Sequence, residues 1–377
     1  MFTRLSVHPV VKLLCAAALL LILSSGLALS ANAASTKGNT YSAVSLYVNG
    51  ELQILPPTQN VQFMNSNTLY IPVKTITRIP GITINYGSPL SLTGSRGSAN
   101  VNSSNSFEYK GTTYVQYKTL LSISDLDGKY ASSAYTLFLW TTDEGKAQSS
   151  KILTNISQLP SNMGLLIGQK MYPAHESGAY WITNVYYDPD STIFYVTARN
   201  SGGEEIHTNT NYEAFDFVLD SALNQTQDAL RGKNVWFDNR QFYGTGLKHL
   251  EKLTFVSFQI SKDNEISMVL RKANGNKVAV LLDASYDVNN MLSRYLFGTN
   301  PRSVYNWSEK VWNTISNNRV SSGMTPQQVV LSWGMPSDHN TYQSAGVVYE
   351  QWIYPHNYLY FWNGKLTSAQ SFDWAGM

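Results

Sequence analysis

Apolar and polar residues alternate at spacing two along most of the patterned stretches of this chain, and recur at three and four in only a few. Residues 45–52, 180–187, 193–198, 255–260 and 278–282 read as strands on that basis. Residues 69–76 and 112–120 read as strands passing into short helices. Near the C-terminus the pattern changes twice. Val311, Trp312 and Ile315 share one stripe of a helix beginning near Ser308, a stripe suited to packing on a sheet. A second helix follows, with Thr325 placed to cap it, Pro326 in its first turn where a missing N–H costs nothing, and Gly334 and Pro336 ending it.

Beyond Pro336 the spacing returns to two, which predicts antiparallel strands over 347–354, 358–362 and 365–372. Asn363-Gly364 suits a two-residue turn with positive φ at both positions, and this sets Trp362 opposite Lys365, Phe361 opposite Leu366 and Tyr360 opposite Thr367. Leu359, Phe361 and Leu366 then form the core face, and Tyr358, Tyr360 and Trp362 the other. A three-residue loop at Pro355-His356-Asn357 would add Trp352 and Tyr354 to that second face. Such a row is either covered by another layer of the chain or left open as a binding surface, since Tyr and Trp are enriched both in cores and at binding hot spots.

The pattern Gly323-Met324-Thr325, Ser332-Trp333-Gly334, Glu350-Gln351-Trp352 and Tyr358 to Leu366 resembles the helix-helix-sheet repeat of β-lactamase-inhibitor-like domains and of a small outer-membrane assembly lipoprotein family. It spans about 65 residues. The resemblance implies a non-catalytic domain over 302–377 that binds a partner protein, with Trp352, Tyr358, Tyr360 and Trp362 on the contact face and Tyr354 joining them if the loop has three residues.

Toward the N-terminus, Thr68, Tyr70, Lys74 and Thr75 recur 44 positions later as Thr112, Tyr114, Lys118 and Thr119, which predicts two related strand-helix-strand units. With the segments at 47–50, 68–76 and 135–140, they resemble the copper amine oxidase N-terminal-like domain, a stalk module of secreted Gram-positive proteins. That resemblance implies attachment or spacing over 41–143 and no oxidase chemistry. Asn184-Val185-Tyr186-Tyr187-Asp188 departs from the setting of the oxidases' modified tyrosine, and no His-x-His occurs.

Residues 143–150 are polar and read as a linker. The region 151–298 is β-rich, with Asn274-Gly275 marking a hairpin, and the run opening at Leu230 is reminiscent of a small SH3-like barrel. The fold class is therefore α+β, mostly β, in three modules.

Composition narrows the function. Arg4 and Lys12, the apolar run from Leu13 and Ala31-Asn32-Ala33 read as a cleaved secretory signal over 1–33, which predicts a secreted or cell-wall-associated protein with no membrane segment after its removal. Cys15, the one cysteine, lies inside it, leaving no disulfide or thiolate chemistry. Removing Arg4 and Lys12 leaves 27 − 2 = 25 basic against 25 acidic residues, so nucleic acid is a disfavoured partner.

His175, His207, His249, His339 and His356 are scattered and read as surface or turn residues, with no metal-ligand spacing among them. Asp188, Asp190, Asp216 and Asp220 could pair as glycosidase carboxylates, but their places beside turns and caps suit structural roles. No cofactor, metal or enzymatic activity is expected. The expected partner is another envelope protein, with cell-wall glycan stacked on exposed aromatics as the alternative.

Overall fold

The computed structural model describes residues 34–36, 39–55, 62–65, 68–160, 162–210, 216–240, 245–283 and 288–371. The signal-like segment 1–33 and Phe372 lie outside them. The described residues are mostly β with some helix, arranged as several open sheets with no barrel among them. The barrel expected in the middle region is thus replaced by two five-stranded sheets.

The N-terminal unit is a nine-stranded sheet flanked by a small three-stranded one. At the centre of its repeated part, toward one end of the larger sheet, Thr68–Pro72 and Thr112–Gln116 pair antiparallel, with Ile71 opposite Val115. Since 115 − 71 = 44, this pair lies on a local two-fold axis that relates the echoing residues, Tyr70 standing opposite Gln116 as Tyr114 stands opposite Pro72. The same offset relates the outer hairpins, where Phe63 pairs with Tyr70 and Phe107 with Tyr114. It also relates the core, since Ile71 and Val115, Ile76 and Leu120, and Ile79 and Ile123 are all buried. Each central strand runs directly into its helix, Val73–Ile76 or Tyr117–Ile123, which covers one side of the sheet.

The polar stretch at 143–150 is not a linker. It is the first half of the helix Asp143–Gln158, where the Thr142 hydroxyl accepts the Gly145 N–H at 3.0 Å and Asp143 and Glu144 lie in the first turn, favoured by the helix dipole. Its polarity reflects an exposed outer face, and Ser149 and Ile156 are buried beneath it. One core crosses the expected domain boundary: Tyr47 and Phe138, stacked 4.6 Å apart, pack with Ile156, Tyr180, Ile182 and Phe194. Tyr47 Oη donates to the Thr183 carbonyl at 2.7 Å, and burial raises the pKa of this phenol. The N-terminal unit and the first middle sheet are therefore joined by a shared hydrophobic layer.

The first middle sheet contains Lys170–Pro173, Tyr180–Asp188, Ile193–Asn200, Glu205–Thr210 and Phe217–Leu219. The second contains Asn234–Phe237, Lys252–Ile260, Ile266–Arg271, Lys277–Leu281 and Leu296–Phe297, and packs against the helix Asp220–Leu230. The short strand Phe217–Leu219 links the two cores, placing Phe217 and Leu219 in one and Val218 in the other, as strand alternation requires.

The C-terminal unit has the helices Glu309–Ser316 and Pro326–Trp333 on one face of a four-stranded sheet. Thr325 and Gln328 form a reciprocal capping box, Pro326 opens the helix, and Gly334 ends it at φ 88°. Strands Val347–Tyr354, Asn357–Trp362 and Lys365–Ser371 match expectation closely. The fourth, Asp338–Ser344, lies at the edge and has no apolar alternation to announce it, Tyr342 being its one large side chain.

Candidate binding face of the C-terminal sheet

Which side chains reach the open face depends on one loop. The turn after Tyr354 contains two residues, Pro355 and His356, so Tyr354 pairs with Asn357 and Trp352 with Leu359. Relative to a three-residue loop this slips the strand by one position and sends every side chain of Val347–Tyr354 to the opposite face.

Trp352 and Tyr354 are consequently core residues, not surface ones, with 4% and 8% of their area exposed. Trp352 packs 4.7 Å from Phe361, with its indole N–H donating to Glu350 Oε2. Tyr354 lies edge-on to Trp333 and donates to the Gly334 carbonyl at 2.9 Å; burial raises its pKa. Neither can touch a partner on the outer face.

The slip brings Tyr349, Gln351 and Ile353 outward in their place. Tyr342, Tyr349 and Trp362 now form one row across three adjacent strands, with ring centroids 6.3 and 5.0 Å apart. Their exposures are 65%, 39% and 49%, so among the described residues nothing covers them. Lys365 continues the row on the last strand, opposite Trp362.

A second row runs beside it. Asn340 Nδ2 donates to Gln351 Oε1 at 3.1 Å, Gln351 Nε2 to the Tyr360 hydroxyl at 3.3 Å, and that hydroxyl to Gln370 Oε1 at 3.2 Å. This chain of neutral groups ties all four strands together and orients the half-buried Tyr360 ring. Tyr358, also half-buried, stands opposite Ile353 and Gln370. Of the expected residues, Tyr358, Tyr360 and Trp362 are thus brought together on the outer face, where Tyr342 and Tyr349 join them.

The Asn363-Gly364 turn forms as expected, with φ of 44° and 71°. Trp362 pairs with Lys365 and Phe361 with Leu366, but a bulge then shifts the register, so Tyr360 faces Ser368 and not Thr367. The displaced Thr367 hydroxyl donates to the Tyr360 carbonyl at 2.9 Å. Charge is confined to two diagonal corners of the face, Asp338 and Lys365.

The candidate catalytic groups are dispersed. Asp188 accepts from the Asp190 N–H and the Ser191 hydroxyl within a turn, and these bonds hold its carboxyl below the usual range. Asp220 accepts from Tyr172 Oη at 2.5 Å, Lys170 Nζ at 3.2 Å and Asn224 Nδ2 at 2.7 Å, joining the strand Lys170–Pro173 to the helix Asp220–Leu230. No group of three or more His, Cys, Asp or Glu able to hold a metal ion occurs among the described residues. No helix among them is long and apolar enough to cross a membrane. His249 departs from expectation: it is buried, not a surface or turn-exposed residue.

Comparison of the chain with protein-family models, curated proteins and solved structures finds no match.

Proposed function

We propose that this chain is a non-catalytic secreted or cell-envelope protein that binds another protein through the outer face of its C-terminal sheet, with the N-terminal unit acting as an attachment or spacer module. The observation that carries this reading is the exposed row Tyr342–Tyr349–Trp362 beside the neutral row Asn340–Gln351–Tyr360–Gln370. Rigid aromatic side chains offer large contact area at low entropic cost, and adjacent amides supply adaptable hydrogen bonds, the mix that protein-binding surfaces favour. The hydrogen-bonded ladder preorganises the polar half, so less ordering cost remains at association.

Cell-wall glycan is the second reading, supported by the ring spacing of 6.3 and 5.0 Å, near one sugar unit per strand. Successive rings are tilted by 40° and 47°, more than the twist of about 20–25° between neighbouring strands, and so offer no common plane for a straight chain of sugars. That tilt favours the protein reading, in which side chains insert between rings.

The test is to capture binders from envelope and secreted fractions with the full chain, purify them, and measure affinity for the parent and for the Tyr349→Ala/Trp362→Ala variant. Hot-spot residues predict a loss of about 30-fold or more in the variant with an unchanged fold. A purified protein bound equally by both forms would remove this face from the function, and polysaccharide bound by the parent alone would select the glycan reading.

A further inference from the structure

The buried groups that the binding face does not use gather at the joint between the second middle sheet and the C-terminal unit. Asp238 and Arg240 follow the strand Asn234–Phe237, and His249 precedes the strand Lys252–Ile260. Opposite them is the C-terminal end of the helix Pro326–Trp333, where the Val330 carbonyl also takes the Gly334 N–H and the helix dipole has its negative end. Arg240 Nη1 donates to the Val330 carbonyl at 2.8 Å, and His249 Nε2 donates to the Leu331 carbonyl at 2.7 Å. Both bonds cross between units about 80 to 90 residues apart in sequence, the separations being 82 and 90.

The partners of the imidazole fix its protonation. A carbonyl can only accept, so Nε2 carries the hydrogen. A backbone N–H can only donate, and the Asn239 N–H points at Nδ1 from 3.2 Å, so Nδ1 presents its lone pair. The ring is neutral, with both nitrogens engaged and no exposed side-chain area. Asp238 and Arg240 are the charged groups that face it. Asp238 is only 6% exposed and is bound in two places by Arg240, through Nε at 2.7 Å and through Nη2. The helix contributes carbonyl dipoles, Phe297 presents its edge 6.0 Å from the ring, and the Tyr354 phenol, whose pKa is raised by burial, lies within the field of Arg240. The joint is therefore charge-balanced as it stands.

A proton added at Nδ1 changes all of this. It would set a new N–H against the Asn239 N–H, donor to donor, and leave one uncompensated positive charge in a closed space. The nearest relief is Asp238 Oδ1, 3.5 Å from Nδ1. Turning that carboxylate toward the imidazolium takes it from Arg240, the residue that holds the Val330 carbonyl. Burial lowers the pKa of His249 to about 4, more than the nearby Asp238 raises it, which agrees with this reading of the contacts.

We propose that His249 is an acid-operated latch that holds the C-terminal unit against the second middle sheet while neutral and loosens that joint when protonated. The latch lies on the helix side of the C-terminal unit, away from its outer face, and stands whether or not that face binds a partner.

The test uses the intact chain. Long-range proton–nitrogen spectra should show the Nε2–H tautomer of His249 at neutral pH. Hydrogen exchange, corrected for intrinsic rates, should quicken at least tenfold at Asn239 and at the end of the helix Pro326–Trp333 as pH falls from 6.5 to 4, while the central pair around Ile71 and Val115 keeps its protection. His249→Gln, which cannot take up a proton in this range, should remove the pH dependence. Unchanged protection at Asn239 in the parent chain would overturn the proposal, even if the variant fails to fold. So would an Nδ1–H tautomer, or a pH response that persists in a folded variant.

Discussion

Tyr349 stands directly opposite Trp362 on neighbouring strands, their rings 5.0 Å apart on the open face, while Trp352, three residues along from Tyr349, is sealed beneath the same sheet. The sheet thus separates two tryptophans of one unit into a structural one and an available one.

That separation is measurable. Trp352→Ala removes a buried indole and leaves a cavity, so it should cost about 3–5 kcal/mol in denaturant unfolding. Trp362→Ala loses one cross-strand aromatic contact and should cost about 1 kcal/mol or less. Equal costs would mean that the two faces are misassigned.

Thr325→Ala should lower stability by about 1 kcal/mol, because the substitution removes one half of the reciprocal cap with Gln328. Equilibrium unfolding followed by tryptophan fluorescence reads it, since Trp312 and Trp333 belong to the affected unit.

Gly145→Ala would ordinarily stabilise a helix by up to about 1 kcal/mol. Here a Cβ would lie 2.7 Å from the Asn49 Cα, in the turn that Asn49 also holds by accepting the Thr141 N–H at 2.9 Å. The sign should therefore reverse, and the thermal midpoint should fall.

The pH dependence of stability follows from His249. Its pKa is lowered from 6.5 to about 4, so between these values the unfolded chain binds more protons than the folded one. The penalty is absent above about pH 6.5, grows as pH falls, and reaches about 3 kcal/mol near pH 4. The parent chain should lose stability over this window relative to His249→Gln. Parallel profiles for the two would show that another group is responsible.

Local chemistry made much of the fold legible. Thr325, Pro326 and Gly334 punctuate a helix, and Asn363-Gly364 fixes a turn, because each acts on its immediate neighbours. The face of Val347–Tyr354 was decided by whether Asn357 belonged to a loop or a strand, and Pro355-His356 is not a dipeptide that prefers the positive φ values of the usual two-residue hairpin turn. One residue of loop length therefore exchanged Trp352 and Tyr354 for Tyr349. Tyr342 was missed for another reason: the strand Asp338–Ser344 has little core beneath it and so no apolar rhythm. The joint at His249 left no local sign, because its partners Val330 and Leu331 contribute backbone carbonyls, which every residue has.

The crossing of Ile71 with Val115 has an implication for how this unit is put together. Each half presents the same edge to the other in the same register, so the contact is an isologous interface, of the kind that joins two identical subunits, contained within one chain. A fragment holding either half alone would carry an edge already complementary to its own copy. Cutting the chain between the halves would convert intramolecular symmetry into dimerisation, with stability then set by concentration.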